Sequence, residues 1–315
     1  MQDTLAKVKK ELLEYISPKS VEENCLMKNH TTFKVGGPAA LCVFPNSTAE
    51  LFATLEVLDK RKVSYVIMGN GSNILFAEEG YNGVVIKIGT GLDHVRIEGN
   101  IIFAEAGAII SNVAKAAAEA RLTGMEFACG IPGSLGGSVY MNGGAYGWEM
   151  KDIVHSVSSI AKNGMMKDRA SKDLGFSYRH SVFQENKETI LGIKLKLVQG
   201  DPTDINTKIR DYTQQRTTKQ PLNQPSAGSF FKRPQGNFAG KLIQDAGLKG
   251  LSCGGAMVSA LHAGFIVNTG NATANDIMDL MRIIQETVLV KTGVLLEPEV
   301  RIIGINGDIF SICDF

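Results

Sequence analysis

The chain has 315 residues, 44% of them hydrophobic and 21% charged, with a formal net charge of +1. That balance describes a folded chain long enough for two or three domains and excludes a disordered or fibrous one. The near-neutral charge argues against general nucleic-acid binding, and no apolar run reaches the length needed to span a bilayer.

The N-terminal segment places Leu5, Val8, Leu12 and Tyr15/Ile16 at helical spacing. It lacks the apolar core and small-residue cleavage site of a signal peptide. Leu41–Phe44, Val63–Met68 and Val84–Ile88 read as short strands bounded by Pro, Gly and Asn. Between the first two, Ser47–Lys60 reads as a helix, capped by Ser47 or Thr48, with Leu51, Leu55 and Leu58 on one face. A hairpin follows around Gly99-Asn100, then an Ala-rich helix over Ser111–Arg121. Ile153–Ala161 and Met165–Asp168 flank Asn163-Gly164, a type I′ turn signal, and Thr189–Val198 is another strand. Asp201-Pro202 opens a helix to about Thr217. A second long helix, Thr273–Lys291, presents Ile277, Leu280/Met281, Ile284 and Val288 on one side, and the chain ends in an expected hairpin around Asn306-Gly307. The pattern is α+β.

Five cysteines (Cys25, Cys42, Cys129, Cys253 and Cys313) give an odd count with no C-x-x-C and no His cluster. Neither a disulfide framework nor a metal site is expected, and a reducing cytoplasm is the natural location. Cys129 reads as a buried, inert thiol.

Two glycine-rich segments stand apart. Gly130–Gly147, GIPGSLGGSVYMNGGAYG, has Gly or Pro at eight of eighteen positions, yet its interleaved apolar residues are wrong for a flexible linker. It either wraps a flat or anionic ligand or forms a tight set of turns. Gly69-Asn70-Gly71-Ser72-Asn73 follows the strand VSYVIM, and its successive backbone N–H groups can form an anion-binding nest. A dinucleotide fingerprint fails there, because the third Gly is missing and the following residues continue as strand. One phosphate-like and one apolar Gly-rich turn suit a ligand with a pyrophosphate and a flat ring.

In that order and spacing, MGNGSNILF and GIPGSLGGSVYMNGGAYG resemble the FAD-binding segments of the UDP-N-acetylenolpyruvoylglucosamine reductase (MurB) family. The resemblance continues through NHTTFKVGGPA (29–39), FSYRHSVF (176–183), RTTKQP (216–221) and AGSFFKRP (227–234). It ends with AGLKGLSCGGAMVSALHAGFIVNTGNATA (246–274) and LEPEVRIIG (296–304). It implies an α+β fold with a two-lobed FAD-binding region of the PCMH/VAO-like type and a C-terminal α+β substrate domain. The implied boundaries are an N-terminal helix at 1–19, a first FAD lobe at 20–90 with 298–315, a second at 91–200, and the substrate domain at 201–297. The implied activity is NADPH-dependent, FAD-mediated reduction of UDP-N-acetylglucosamine enolpyruvate to UDP-N-acetylmuramate for peptidoglycan.

The resemblance also implies site residues. On their own, Arg179 reads as a surface cation, Ser229 as a turn residue and Glu299 as part of a solvated strand face with Glu297 and Arg301. The family's motifs make them catalytic: Arg179 holds the substrate carboxylate, Ser229 protonates C2, and Glu299 polarises or protonates the enediolate. Cofactor contacts fall on Gly69, Asn70, Gly71, Ser72 and Asn73, and on Gly130, Ile131, Pro132, Gly133, Ser134, Gly136 and Gly137. Tyr178, Lys219, Arg233 and His262 are the substrate-binding candidates. The first turn has no His or Cys for a flavin linkage, so FAD is expected to be non-covalent. The short run from YRHSVF to Thr189 leaves no room for the Tyr-bearing loop of the longer family branch. A monomer acting on a UDP-sugar, without nucleic acid or membrane insertion, completes the expectation. The rivals are an FAD-linked oxidase of the same fold and a non-catalytic flavin or nucleotide-sugar binding protein.

Overall fold

The computed structural model describes residues 2–307, which form two compact units. The first comprises residues 2–22, 41–70 and 85–216, and the second 23–40, 71–84 and 217–307.

In the first unit, the N-terminal helix Gln2–Leu12 buries Val8 and Leu12, and its Glu11 pairs with Lys60 and Arg61 of the helix Thr48–Arg61. That second helix starts where the sequence predicts. The Ser47 hydroxyl accepts the Glu50 N–H at 3.2 Å, and Leu51, Leu55 and Leu58 are buried. Residues 41–43, 85–87 and 65–68 are neighbours, in that order, in a sheet. A five-stranded antiparallel sheet follows, ordered Met166–Ala170, Val154–Ile160, Thr189–Lys196, Ile101–Glu105 and Val95–Glu98. Its Asn163-Gly164 turn differs from the expected type I′. Only Gly164 is left-handed (φ +77°), and the Ala161 N–H donates to Met165 O at 2.9 Å. A longer loop with Gly in the left-handed position therefore replaces the two-residue turn.

One carboxylate is buried at this sheet. Glu188, whose side chain is 3% exposed, accepts two hydrogen bonds from Arg169 (2.9 and 2.6 Å) and one each from Ser159 (2.8 Å) and Lys167 (3.1 Å). Arg169 is the main reason its carboxyl is held down at about 2.

In the second unit, Ser226–Ser229, Phe265–Asn268, Ala256–Val258 and Ser252–Cys253 form an antiparallel sheet in that order. Phe33, Phe230, Phe231, Ile243, Ile277, Ile284 and Val288 belong to its core, together with the buried face of the helix Ala274–Thr292. Thr273 and Asp276 form a capping box at that helix's start, and Gly293 (φ +73°) ends it. The C-terminal strand departs from expectation. Arg301–Ile303 pairs in parallel with Ile74–Phe76, and the second arm of the expected hairpin lies outside the described residues. Among the described residues no helix is long and apolar enough to cross a membrane.

Candidate active site

The two glycine-rich segments meet in the first unit. The strand Tyr65–Met68 delivers Gly69 and Asn70 to the edge of the second segment, where the Asn70 side-chain amide donates to Pro132 O. A Cβ on Gly69 would lie 2.0 Å from Ser134 Oγ, so only glycine permits this approach. Ser134 is buried and caps the short helix Leu135–Tyr140, accepting the Gly137 N–H at 3.2 Å. The segment then runs along residues 106–110: Leu135 N–H donates to Ala108 O at 2.7 Å and Gly136 N–H to Ala106 O at 2.9 Å. A Cβ on Gly136 would come within 2.8 Å of Ala106 Cβ. These glycines therefore serve first to bring main chains together, which shapes the surface a cofactor would meet. Cys129 beside them is only partly buried, and its thiol is pushed up to about 11 by burial, with Glu126 adding to the effect. It is a poor nucleophile there.

Gly130 is matched to a side chain absent from the sequence-based set. A Cβ there would lie 2.6 Å from Cδ of Arg216, which comes from the helix Pro202–Lys219. Burial lowers the guanidinium's pKa, and its buried Nε–H has no acceptor. A desolvated cation with an unused donor, laid against a glycine-rich segment, has the chemistry to receive an anionic group. Its position in RTTKQP was the available signal, but Arg216 otherwise looks like one more polar residue of a polar helix.

Arg179 lies in a tight turn in which Ser177 and His180 exchange backbone hydrogen bonds at 3.2 and 3.1 Å. Arg179 is left-handed (φ +55°), and its guanidinium lies 5.1 Å from the centroid of the exposed Tyr178 ring. Non-glycine residues in that region are uncommon and gather at functional sites. The turn is tied to the end of the glycine-rich helix: Ser181 Oγ and Gln184 Nε2 both donate to Tyr140 O (2.7 and 2.9 Å), and Asn142 Nδ2 donates to Ser177 O at 2.9 Å.

The second unit sets Ser229 and Glu299 on adjacent backbones. Ser229 ends the strand Ser226–Ser229 beyond a bulge at which Gly228 is left-handed (φ +79°). The next residue, Phe230, accepts the Glu299 N–H at 2.8 Å, and Lys232 N–H donates to Glu297 O at 2.8 Å. Asn73 locks the other side, donating from Nδ2 to Glu299 O at 3.2 Å while its own carbonyl accepts from Arg301 N–H at 3.1 Å. The regular strand begins only at Arg301, so no simple alternation runs from Glu297 to Arg301 as the sequence suggests. Thr32, also absent from the sequence-based set, bonds both Gly71 O and Ser226 O.

The remaining candidates are more dispersed. Lys219 is exposed at the end of its helix, and Arg233 is exposed with its guanidinium 4.8 Å over the Phe238 ring. His262 Nδ1 accepts the Gly264 N–H at 3.1 Å, and burial lowers its pKa, so the ring is neutral with its proton on Nε2.

Comparison with known proteins gives the family. A family model for "FAD binding domain" matches residues 39–168, and one for "UDP-N-acetylenolpyruvoylglucosamine reductase, C-terminal domain" matches residues 220–303. The 4-ethylphenol oxidase of Gulosibacter chungangensis shares the fold, with a TM-score of 0.51 at 14% identity over 95% of this chain and 65% of that one. Fold and family models together define a flavin-dependent oxidoreductase with an α+β FAD-binding fold. The reductase of Caldanaerobacter subterraneus subsp. tengcongensis is 49% identical over 88% of this chain and 92% of its own. The crystal structure of the Thermus caldophilus enzyme aligns with a TM-score of 0.77 at 34% identity, covering 88% of this chain and 97% of that one. The chain belongs to the UDP-N-acetylenolpyruvoylglucosamine reductase family.

Proposed function

We propose that Arg179, Ser229 and Glu299 carry the reduction that defines this family, the conversion of UDP-N-acetylglucosamine enolpyruvate to UDP-N-acetylmuramate. FAD, when bound, would supply the redox chemistry, as a hydride carrier between NADPH and the enolpyruvyl group. The residues present fit that cofactor: the Gly69–Ser134 approach shapes a surface without protruding side chains, and Arg216 supplies an unsatisfied buried donor. Arg179 binds the substrate carboxylate through planar, charge-assisted hydrogen bonds and stabilises charge as it develops on the enediolate. Ser229 Oγ–H gives a proton to C2; a weak acid suffices against a carbanion-like centre when it is well placed. Glu299 polarises or protonates the enediolate. Tyr178, Lys219 and Arg233 hold the UDP-sugar, and His262 meets it through Nε2.

The observation that carries this reading is the backbone pairing of Phe230 with Glu299, locked by Asn73. It brings the backbones of Ser229 and Glu299 close although they are 70 residues apart in sequence, which supports a shared role for their side chains. Residues 20–90 with 298–315, then 91–200, serve as the FAD lobes, and 201–297 as the substrate domain of a cytoplasmic monomer. Rapid-mixing kinetics of Ser229→Ala test the assignment. NADPH should reduce the flavin at nearly the normal rate, while substrate-dependent reoxidation falls by about 10²-fold or more. Equal slowing of both half-reactions would rule out Ser229 as the proton donor.

A further inference from the structure

We propose that Tyr146 and Tyr212 are positioning residues: their stacked rings fix the helix Pro202–Lys219 against the hairpin 144–149 and hold Arg216 beside Gly130 for an anionic part of bound FAD. The inference rests on FAD binding by this family. It assigns a purpose to two features that the catalytic reading leaves unexplained.

The first is backbone strain. The strands Gly144–Ala145 and Trp148–Glu149 pair directly around a two-residue turn, with Tyr146 at φ +55° and Gly147 at φ +85°. Both central positions are left-handed, the geometry that Asn-Gly satisfies best. A tyrosine at the first position is strained, and folding of the hairpin does not require it. What the tyrosine gains lies outside the hairpin. Its ring is parallel to that of Tyr212 within 3°, with centroids 4.3 Å apart, and its hydroxyl donates to Tyr212 O at 3.0 Å.

The second is the weak anchoring of the helix. Of the eighteen residues in Pro202–Lys219, only Ile205 is buried, far from the end that matters. Apolar packing therefore does not fix the 212–216 turn. Tyr212 and Arg216 are four residues apart and share a helix face, so whatever holds Tyr212 also sets the guanidinium. Arg216 is the group that needs holding. It is a desolvated cation with an unpartnered Nε–H, laid along Gly130, where any side chain would displace it. FAD offers two anionic partners, the pyrophosphate and the reduced flavin ring.

The test compares Arg216→Gln, Tyr212→Ala and Tyr212→Phe as FAD-loaded proteins. The readouts are the dissociation constant of FAD on dilution and the midpoint potential of the bound flavin. If the partner is the pyrophosphate, Arg216→Gln and Tyr212→Ala both weaken FAD at least tenfold and leave the potential in place. If it is the reduced ring, both lower the potential by about 30 mV or more, the equivalent of tenfold for a two-electron couple. Tyr212→Phe keeps the stack and the carbonyl and should retain wild-type values of both quantities. Should Tyr212→Ala fail to fold, Tyr146→Leu carries the same expectations with the helix sequence intact. If Arg216→Gln changes either quantity while the tyrosine variants change neither, the positioning role is overturned and Arg216 stands. If Arg216→Gln changes neither, its assignment to FAD falls, and the proposal with it.

Discussion

Gly69→Ala isolates the close approach between the two glycine-rich segments. The added Cβ would sit 2.0 Å from Ser134 Oγ and 2.9 Å from Ser134 Cβ. Gly69 has no left-handed φ, so the backbone tolerates alanine and the whole effect is steric. Ser134 is 3% exposed and cannot swing outward freely. Rotating it away forfeits the cap on Gly137 N–H, about 1 kcal/mol, and leaving it in place overpacks a buried contact at roughly 1–3 kcal/mol. Whichever response the side chain takes, the expected destabilisation is roughly 1–3 kcal/mol. Ser134→Gly removes both clashing atoms, and glycine at an N-cap costs only a few tenths of a kcal/mol. The double variant should therefore be about as stable as Ser134→Gly alone, with a coupling energy of roughly 1 kcal/mol or more. Urea unfolding followed by far-ultraviolet circular dichroism measures all four corners of the cycle. Effects of Gly69→Ala and Ser134→Gly that add to within about 0.5 kcal/mol would refute the steric account.

Other outcomes follow from single groups. Arg179→Gly should hold or slightly raise the unfolding midpoint, since glycine accepts a left-handed φ without steric cost, yet abolish substrate-dependent flavin reoxidation; a clear loss of stability would show that the turn is not strained. Glu188 has its carboxyl lowered from the ordinary 4.5 to about 2, so it stabilises the fold above pH 4.5 and loses that contribution as pH falls toward 2. At 1.36 kcal/mol per pH unit this is worth roughly 3 kcal/mol, and Glu188→Gln should flatten urea stability against pH over that interval. His262→Ala leaves the Gly264 N–H without its acceptor and should cost about 1–3 kcal/mol; an unchanged midpoint in thermal unfolding would show that this hydrogen bond adds nothing to stability.

The sequence made the meeting of the two glycine-rich segments legible because glycine is diagnostic where a main chain must come close to a neighbour, as Gly69 does to Ser134 and Gly136 to Ala106. Capped helices were equally readable, since Ser47 and Thr273 announce their own starts. Arg216 was not visible: it belongs to a helix whose polar composition reads as solvated, and its burial arises from contacts with a distant segment. The setting of Glu299 was hidden for a related reason. It depends on Phe230 and Asn73, partners 69 and 226 residues away, and no local pattern encodes such distances. The Asn163-Gly164 turn was misread by one residue, because the same dipeptide serves two loop lengths.

The parallel pairing of Ile74–Phe76 with Arg301–Ile303 has a consequence for how the protein is made. Ile74, Leu75 and Phe76 are all buried, and among the described residues the strand they form is paired in its sheet only with residues 227 positions later. At about 5–20 residues per second, a nascent chain waits roughly 10–45 s before that partner is synthesised. Throughout that interval an apolar strand edge has no native mate, a template for association between neighbouring chains. Shielding this edge during translation should therefore raise the yield of folded protein, and a chain terminated before residue 301 lacks the edge's partner strand.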